Sequence, residues 1–322
     1  MHMSWKKFRK KMQRTTKAVR RYLVYLLTFT FHRGIVFLRP EHARKFGAVV
    51  GGLGATLARG ERQKVEENLE IAYGDTMPAE ERKRIAREVF VQAGMSATEW
   101  SYLYNGRAEG LLSNVTTEGA EYIKQAMATG RGIIVLGAHY GNWELMAGKL
   151  PSWFPGREAA AVARDLSNPW INDALNRART IMGTRVFTRG ATGREYIRFL
   201  RAGNALTVLG DMDTTKGSGI FVNFFGKPAW TQDGIARLAR MGKAIILPFF
   251  DQRDPVNLEK HVVKIYPPIP EPVGVSEEEY IRQITQSFTD VIEQAVRDRP
   301  ELWMWMHRRW RHQPSDFPES QA

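Results

Sequence analysis

The pattern of apolar positions changes rhythm near residue 130. From residue 41 to that point apolar residues recur mostly at helical spacing. Pro78-Ala79-Glu80-Glu81 opens one such segment, with Ile85, Val89 and Phe90 on one face and Asp75 and Thr76 in the turn before it. Gly51-Gly52-Leu53-Gly54 lacks the third glycine of a dinucleotide fingerprint and reads as close helix packing. Beyond Gly130, short apolar runs at 132–137, 159–163, 205–209, 245–250 and 262–266 have the length of strands buried on both faces. Helical patterns at 168–182, 193–200 and 233–241 lie between several of them. Residues 276–297 form a long amphipathic pattern in which Ser276 is the N-cap and Glu279 completes a capping box, and 267–272 is a proline-bounded loop. Alternating strands and helices predict an α/β fold, with a central largely parallel or mixed sheet flanked by helices.

The first 40 residues follow neither rhythm. Lys6, Lys7, Arg9, Lys10, Lys11, Arg14, Lys17, Arg20 and Arg21 all precede the first acidic residue, with Trp5, Phe8, Met12 and Val19 near one helical face. Residues 22–31 are apolar and aromatic. His32, Arg33 and Gly34 interrupt that run before it resumes at 35–38 and ends at Arg39-Pro40. A spanning helix needs roughly 20 apolar residues, so a run of about ten beside cations predicts an interfacial, membrane-associating helical segment. Thr30-Phe31-His32-Arg33 is a poor signal-peptide cleavage site. The chain thus divides into an anchor over 1–40 and a single α/β domain over 41–322. Within that domain 41–130 is a helical lead-in and about 131–311 the core.

Composition sharpens the partner class. In 322 residues, Lys+Arg 47 against Asp+Glu 34 leaves a net charge of +13. That balance calls for an anionic partner: nucleic acid, acidic lipid, a phosphorylated substrate or an acidic carrier protein. Nucleic acid gives no reason for the apolar run beside the cations, so acidic lipid fits better. Cysteine is absent, which excludes disulfides, cysteine-ligated zinc, iron–sulfur clusters and a thiol nucleophile.

The chemistry-bearing positions follow the strand patterns. His139 lies directly after the run at 132–137, in a glycine-bracketed turn, where an α/β fold places its site. Glu144, five residues on, falls in the first turns of the next helix. From there its carboxylate could reach back to one imidazole nitrogen and leave the other as a base, or the two could simply cap the helix. Asp211 and Asp213 form a DxD after the run at 205–209, which opens two further readings: a metal site with His139, or the ion site of a glycosyltransferase. No HExxH, Gly-x-Ser-x-Gly or Walker A pattern is present. Arg164, Arg177, Arg179 and Arg185 gather on segments leaving the sheet, where surface solvation and phosphate binding are both open. Phe224-Phe225-Gly226-Lys227-Pro228 reads as an apolar loop with one cation. Tryptophans 303, 305 and 310 stand among cations near the carboxyl terminus, either as a ligand-facing surface or as helix docking.

Taken in order, these pieces resemble the bacterial lipid A biosynthesis acyltransferases, the late lauroyl- and myristoyl-transferase group. The matching residues are Asn68-Leu69, His139-x4-Glu144, Arg164 with Asn168-Pro169, Arg177, Asp211-x-Asp213, Phe224 to Pro228, and Trp305-Met306-His307-Arg308-Arg309, so the resemblance spans about residues 20–311. Glycerol-phosphate acyltransferases share a His-x4-Asp form. Glu144 and the lack of a Phe-Pro-Glu-Gly segment look more like the lipid A branch. The resemblance implies acyl transfer from acyl carrier protein to a hydroxyl of a lipid A precursor. His139 would be the general base and Glu144 its partner, with no covalent enzyme intermediate, no cofactor and no metal. It implies substrate-binding roles for Arg164, Arg177, Asp211, Phe225, Gly226 and Lys227. It also implies anionic membrane lipids as partners, no nucleic acid, and a place on the cytoplasmic face of the inner membrane. A related glycolipid or phospholipid acyltransferase, a DxD glycosyltransferase and a non-catalytic lipid-binding protein are the alternatives.

Overall fold

A computed structural model of the chain describes residues 5–163, 166, 168–188 and 192–317, with the backbone alone described at 5–14 and 17. Five helices precede the first strand: α1 (Trp5–Ile35), in the expected anchor segment, then α2 (Pro40–Leu57), α3 (Arg59–Tyr73), α4 (Ala79–Tyr104) and α5 (Glu109–Ser113) of the lead-in. It is followed by β1 (Val115–Glu118), α6 (Ala120–Ala128), β2 (Ile133–Gly137), α7 (Trp143–Trp153), β3 (Ala159–Val162), α8 (Pro169–Ile181), β4 (Arg185–Phe187), α9 (Gly193–Arg201) and β5 (Ala205–Leu209). The chain ends through β6 (Gly219–Phe224), β7 (Lys227–Gln232), α10 (Gly234–Gly242), β8 (Ile245–Arg253), β9 (His261–Ile265) and α11 (Glu277–Asp298).

Seven strands form one sheet in the order β1-β9-β8-β2-β5-β3-β4. The five from β8 to β4 are parallel, β9 is antiparallel to β8, and β1 is parallel to β9. The mostly parallel α/β sheet matches the expected class. Its inner strands coincide with the apolar runs because each buries both faces. Along β2, Ile134 and Leu136 join the core under α9, α10 and α11, whereas Ile133 and Val135 join the opposite core with Leu145 and Leu150 of α7. The sheet's end strands, β1 and β4, carry no apolar run and lie outside the expected set.

One local expectation changes. Residues 224–228 are not a loop but the turn of the β6–β7 hairpin, with Phe225 and Gly226 at φ 54° and 71°. Such two-residue turns need left-handed backbone at both central positions, and asparagine or glycine usually signals them. Phe225 sits there because its ring is buried and its N–H donates to Glu293 Oε2 at 2.5 Å. The helical segment expected at the amino terminus is present and runs unbroken through His32, Arg33 and Gly34, where the apolar run is interrupted. The end of α4 takes up their polar groups: His32 Nδ1 lies 2.8 Å from Ser101 Oγ, and Arg33 donates to Asn105 Oδ1 at 3.1 Å. Among the described residues no helix is long and apolar enough to cross a membrane.

The glycine cluster does mark close packing. A Cβ at Gly51 would stand 2.2 Å from the Phe90 carbonyl oxygen, and one at Gly47 would stand 2.5 Å from that of Gly94. α2 therefore lies backbone to backbone on α4. Gly52 and Gly54 take no part in that contact.

Candidate active site

β2 and β5 pair in register, with Gly137 opposite Leu209. His139 and Asp211 each lie two residues beyond the end of their strand. β2 leads through α7 to β3 on one side, whereas β5 leads by way of the hairpin and α10 to β8 on the other. A crevice opens at the carboxyl ends of adjacent strands whose connections part in this way.

There His139 Nδ1 donates to Asp211 Oδ1 at 2.9 Å. The other oxygen of Asp211 accepts from the His139 backbone N–H and from Trp303 Nε1, both at 2.9 Å. Asp211 is fully enclosed while the imidazole is 25% exposed. Burial alone would lower the pKa of His139. The charge and hydrogen bond of Asp211, helped by the charge of Glu144, outweigh it and hold the ring above its ordinary value. Burial would raise Asp211, but the facing imidazole holds its carboxyl well below the usual range. A carboxylate on Nδ1 fixes the tautomer and leaves Nε2 free as an acceptor.

The turn that carries His139 is clamped from two sides. The carboxy-terminal segment pairs with it: Met304 N–H donates to the His139 carbonyl and Gly141 N–H to that of Leu302, each at 2.8 Å. His307 lies 6.4 Å from His139 between ring centroids. Burial lowers its pKa to about 4, so it is neutral, with Nδ1 donating to the Met304 carbonyl. Asn68 holds this segment by donating to the carbonyls of Trp305 and His307 at 2.7 and 2.8 Å. From the other side Asn142 caps α7. Its N–H donates to Asp251 Oδ2 and its amide to Glu99 Oε2, both at 2.8 Å, while its oxygen accepts from Trp100 Nε1 and the Leu145 N–H. Glu99 and Asp251 in turn hold Arg253 and His261 in a fully buried ionic cluster. Hydropathy gives no hint of that cluster, because its members are scattered over α4, β8 and β9.

Glu144 does not touch the imidazole. It forms a two-pronged ion pair with Arg179 of α8, whose Nε donates to Glu144 Oε2 at 2.9 Å and whose Nη2 pairs with Oε1. The carboxylate expected on the ring is therefore supplied by Asp211, and Glu144 acts on His139 through its charge. The pair lines a cavity of about 500 Å³ together with His139, Trp143, Met146, Leu175 and Leu209. Its walls are mostly apolar, and its size is typical of ligand sites. A narrower apolar space of about 110 Å³ shares Trp100, Glu144, Ile171, Leu175 and Arg179 with it and reaches Tyr25, Phe29 and His32 of α1.

The remaining expected residues divide. Arg177 is exposed and lines a separate groove with Tyr25, Arg33 and Trp170, so the arginine of α8 that enters the His139 cavity is Arg179. Arg164 lies outside the described residues. Phe225, Gly226 and Lys227 do not line the cavity. Phe225 packs against Tyr73 and Trp305, with the Arg297 guanidinium 4.3 Å from its ring centre, and Lys227 is exposed. The two aspartates of the DxD serve different partners: Asp213 accepts from Arg311 and from the ring and backbone of His312. Among the described residues no group of three or more His, Asp or Glu side chains could hold a metal ion.

Comparison with known proteins adds an independent finding. The family model described as "Bacterial lipid A biosynthesis acyltransferase" matches residues 9–312. The chain is 26% identical over 275 residues to the lipid A biosynthesis lauroyltransferase of Escherichia coli (strain K12), covering 85% of this chain and 87% of that one. It is 23% identical to the lipid A biosynthesis myristoyltransferase of the same strain, covering 85% and 82%. It is 25% identical over 300 residues to a lipid A biosynthesis acyltransferase of Haemophilus influenzae, covering 92% and 93%.

Proposed function

Because the chain belongs to the bacterial lipid A biosynthesis acyltransferase family, we propose that it moves a fatty acyl chain from acyl carrier protein to a hydroxyl of a lipid A precursor. The observation that carries this reading is the His139–Asp211 pair at the edge of an apolar cavity, with Nε2 free. Nε2 takes the proton of the acceptor hydroxyl as its oxygen adds to the thioester carbonyl carbon. The tetrahedral intermediate then breaks its carbon–sulfur bond, and the carrier thiolate leaves with the proton that His139 returns. Attack is direct, so a chain without cysteine needs no nucleophile of its own and no cofactor. Asp211 orients the imidazole and stabilises its charged form. Glu144 adds to that charge stabilisation, and Arg179 holds Glu144 in place. The apolar space behind the Glu144–Arg179 pair suits the acyl chain, and the precursor's phosphates suit Arg164 and Arg177.

The basic amino-terminal helix suits anionic lipid. We place the enzyme as a peripheral or monotopic protein on the cytoplasmic face of the inner membrane, where both the carrier protein and the lipid acceptor are within reach. Mass spectrometry of products formed by the purified protein, with a panel of acyl-carrier-protein donors and lipid A precursors, tests the reaction. His139→Ala is expected to slow transfer by about 10²–10⁴-fold, the usual size of a general-base effect. Near-normal turnover by the folded variant refutes the assignment. Chelator-sensitive transfer would revive the DxD reading.

A further inference from the structure

The amphipathicity of α2 is the reverse of that in a helix on a water-soluble domain. The side facing the protein carries small residues and one ion-paired arginine: Ala43, Gly47, Gly51 and Ala55 are buried, as is Arg44, which pairs with Glu259, and Gly47 and Gly51 approach the α4 backbone as closely as glycine allows. The opposite side carries Phe46, Val49, Val50, Leu53 and Leu57, which lie at helical spacing and are 42–80% exposed. Amphipathic helices in water turn large apolar residues inward. Small residues at the helix contact with large apolar ones outside is the arrangement of helices packed in lipid. A contiguous exposed apolar stripe marks an interaction surface.

Two observations say what covers it. The stripe is continuous with the lipid-facing helix of the preceding reading. Phe46 packs on Phe31 of α1 with ring centroids 6.3 Å apart, and exposed Phe37 and Leu38 fill the connection. Cations also surround it. Arg39, Lys45 and Arg59 are exposed there, against Glu41 and Glu61. That rim suits anionic headgroups and disfavours a second copy of this basic chain.

We propose that the outer face of α2, from Phe46 to Leu57, lies in the bilayer interface as a second membrane-embedding element beside α1. The inference rests on the membrane reading above but not on the chemistry at His139. With 18 residues of which the first half carries charge, α2 lies along the interface and does not cross it. Two embedded helices would set the tilt of the enzyme, which one anchor helix cannot do.

The full-length protein with Val49→Ser, Leu53→Ser and Leu57→Ser tests this by flotation with vesicles of phosphatidylethanolamine and phosphatidylglycerol. All three side chains are exposed, so the fold has little to lose. The vesicle-bound to free ratio is expected to fall by about tenfold or more. The paired control Met241→Ser with Val273→Ser, both exposed and neither on the helices that precede the sheet, should leave it unchanged. Because the chain has no cysteine, Leu53→Cys also accepts a single environment-sensitive fluorophore. Its emission should shift to the blue on adding vesicles and be quenched by lipids carrying quenchers in their acyl chains. Unchanged flotation with a label that stays in water overturns the proposal. So does a dimer by light scattering that the triple variant converts to monomer while flotation is unaffected, since α2 would then cover a second copy. Turnover on detergent-dispersed acceptor is read in parallel. Its absence in the wild type would defeat the catalytic reading while leaving the flotation result intact.

Discussion

Replacing Asp211 with asparagine isolates the role of the carboxylate, because the shape is kept and only the charge and one acceptor change. In the wild type one oxygen accepts from the imidazole, while the other accepts from the His139 N–H and Trp303 Nε1. An asparagine has one oxygen to offer. If it faces the imidazole, its NH₂ group points at two N–H donors, and two hydrogen bonds become repulsive contacts. If it faces the two N–H groups, the NH₂ donates to Nδ1, which must then be unprotonated, and the proton moves to Nε2. The second arrangement keeps two of the three bonds, so it prevails. Nε2 then carries a hydrogen where the base must accept one. A carboxylate-to-amide change with this tautomer consequence costs about 10⁴-fold in the serine protease triad. Since Glu144 still contributes its charge here, a loss of about 10³–10⁴-fold in kcat is expected, or about 4–5.5 kcal/mol of barrier. The pH dependence should change in step. Asp211 holds the His139 pKa above its ordinary value, so the rising limb of kcat/KM against pH sits above 6.5 in the wild type and moves to lower pH in the variant. The assay is acyl transfer followed by mass spectrometry across pH, with circular dichroism as the control for folding. A folded Asp211→Asn protein that retains activity within about tenfold, with the limb unmoved, would refute this account of the ring's partner.

Glu144→Gln and Arg179→Ala should each lower activity, by about 10–100-fold, and destabilise the fold by about 3 kcal/mol, because each leaves the other partner's charge uncompensated in a mostly buried position. The double variant should be no worse than the poorer single one, and additive losses in a double-mutant cycle would show that the residues act separately. Stability should also depend on pH through His261. Although burial alone would lower it, Asp251 and Glu99 raise its pKa to about 9 from the usual 6.5. A raised folded-state value stabilises the protonated form, so the contribution is complete below pH 6.5 and fades as pH rises through 9. Chemical denaturation from pH 6.5 to 9 should show a loss of up to about 3 kcal/mol that His261→Gln flattens, and an equal slope in that variant would exclude this origin.

The inner strands of the sheet were legible because a strand buried on both faces is apolar at nearly every position, as in Ile133 to Leu136 throughout and in Ala205 to Leu209 apart from Thr207. The glycine cluster was legible as a contact for the converse reason, since only a missing side chain lets two helix backbones meet. Elements whose stability comes from tertiary partners left no such trace. β4 has three residues, of which only Phe187 is buried, and the β6–β7 turn depends on Glu293 from a helix some seventy residues away in the chain. The reversed face of α2 escaped because periodicity reports that a helix has an apolar side, not which medium that side meets.

At the site, His139 was legible from its place after a strand, and its partner was misjudged for an instructive reason. Five residues of sequence separation suggested Glu144, but a helix that starts at Trp143 carries Glu144 toward α8, where Arg179 waits. Asp211 is 72 residues away along the chain, yet the sheet brings it adjacent. Gly137 and Leu209 are register partners, so residues two steps beyond each must emerge side by side at the same edge. Strand pairing, not helical spacing, is therefore what assigns the partner of a histidine that follows a parallel strand. The same reasoning separates Arg177 from Arg179. Two residues along a helix are about 200° apart around its axis, so when one enters the cavity the other must face away. Once Arg179 is turned into the His139 cavity, Arg177 is committed to the outer groove beside α1.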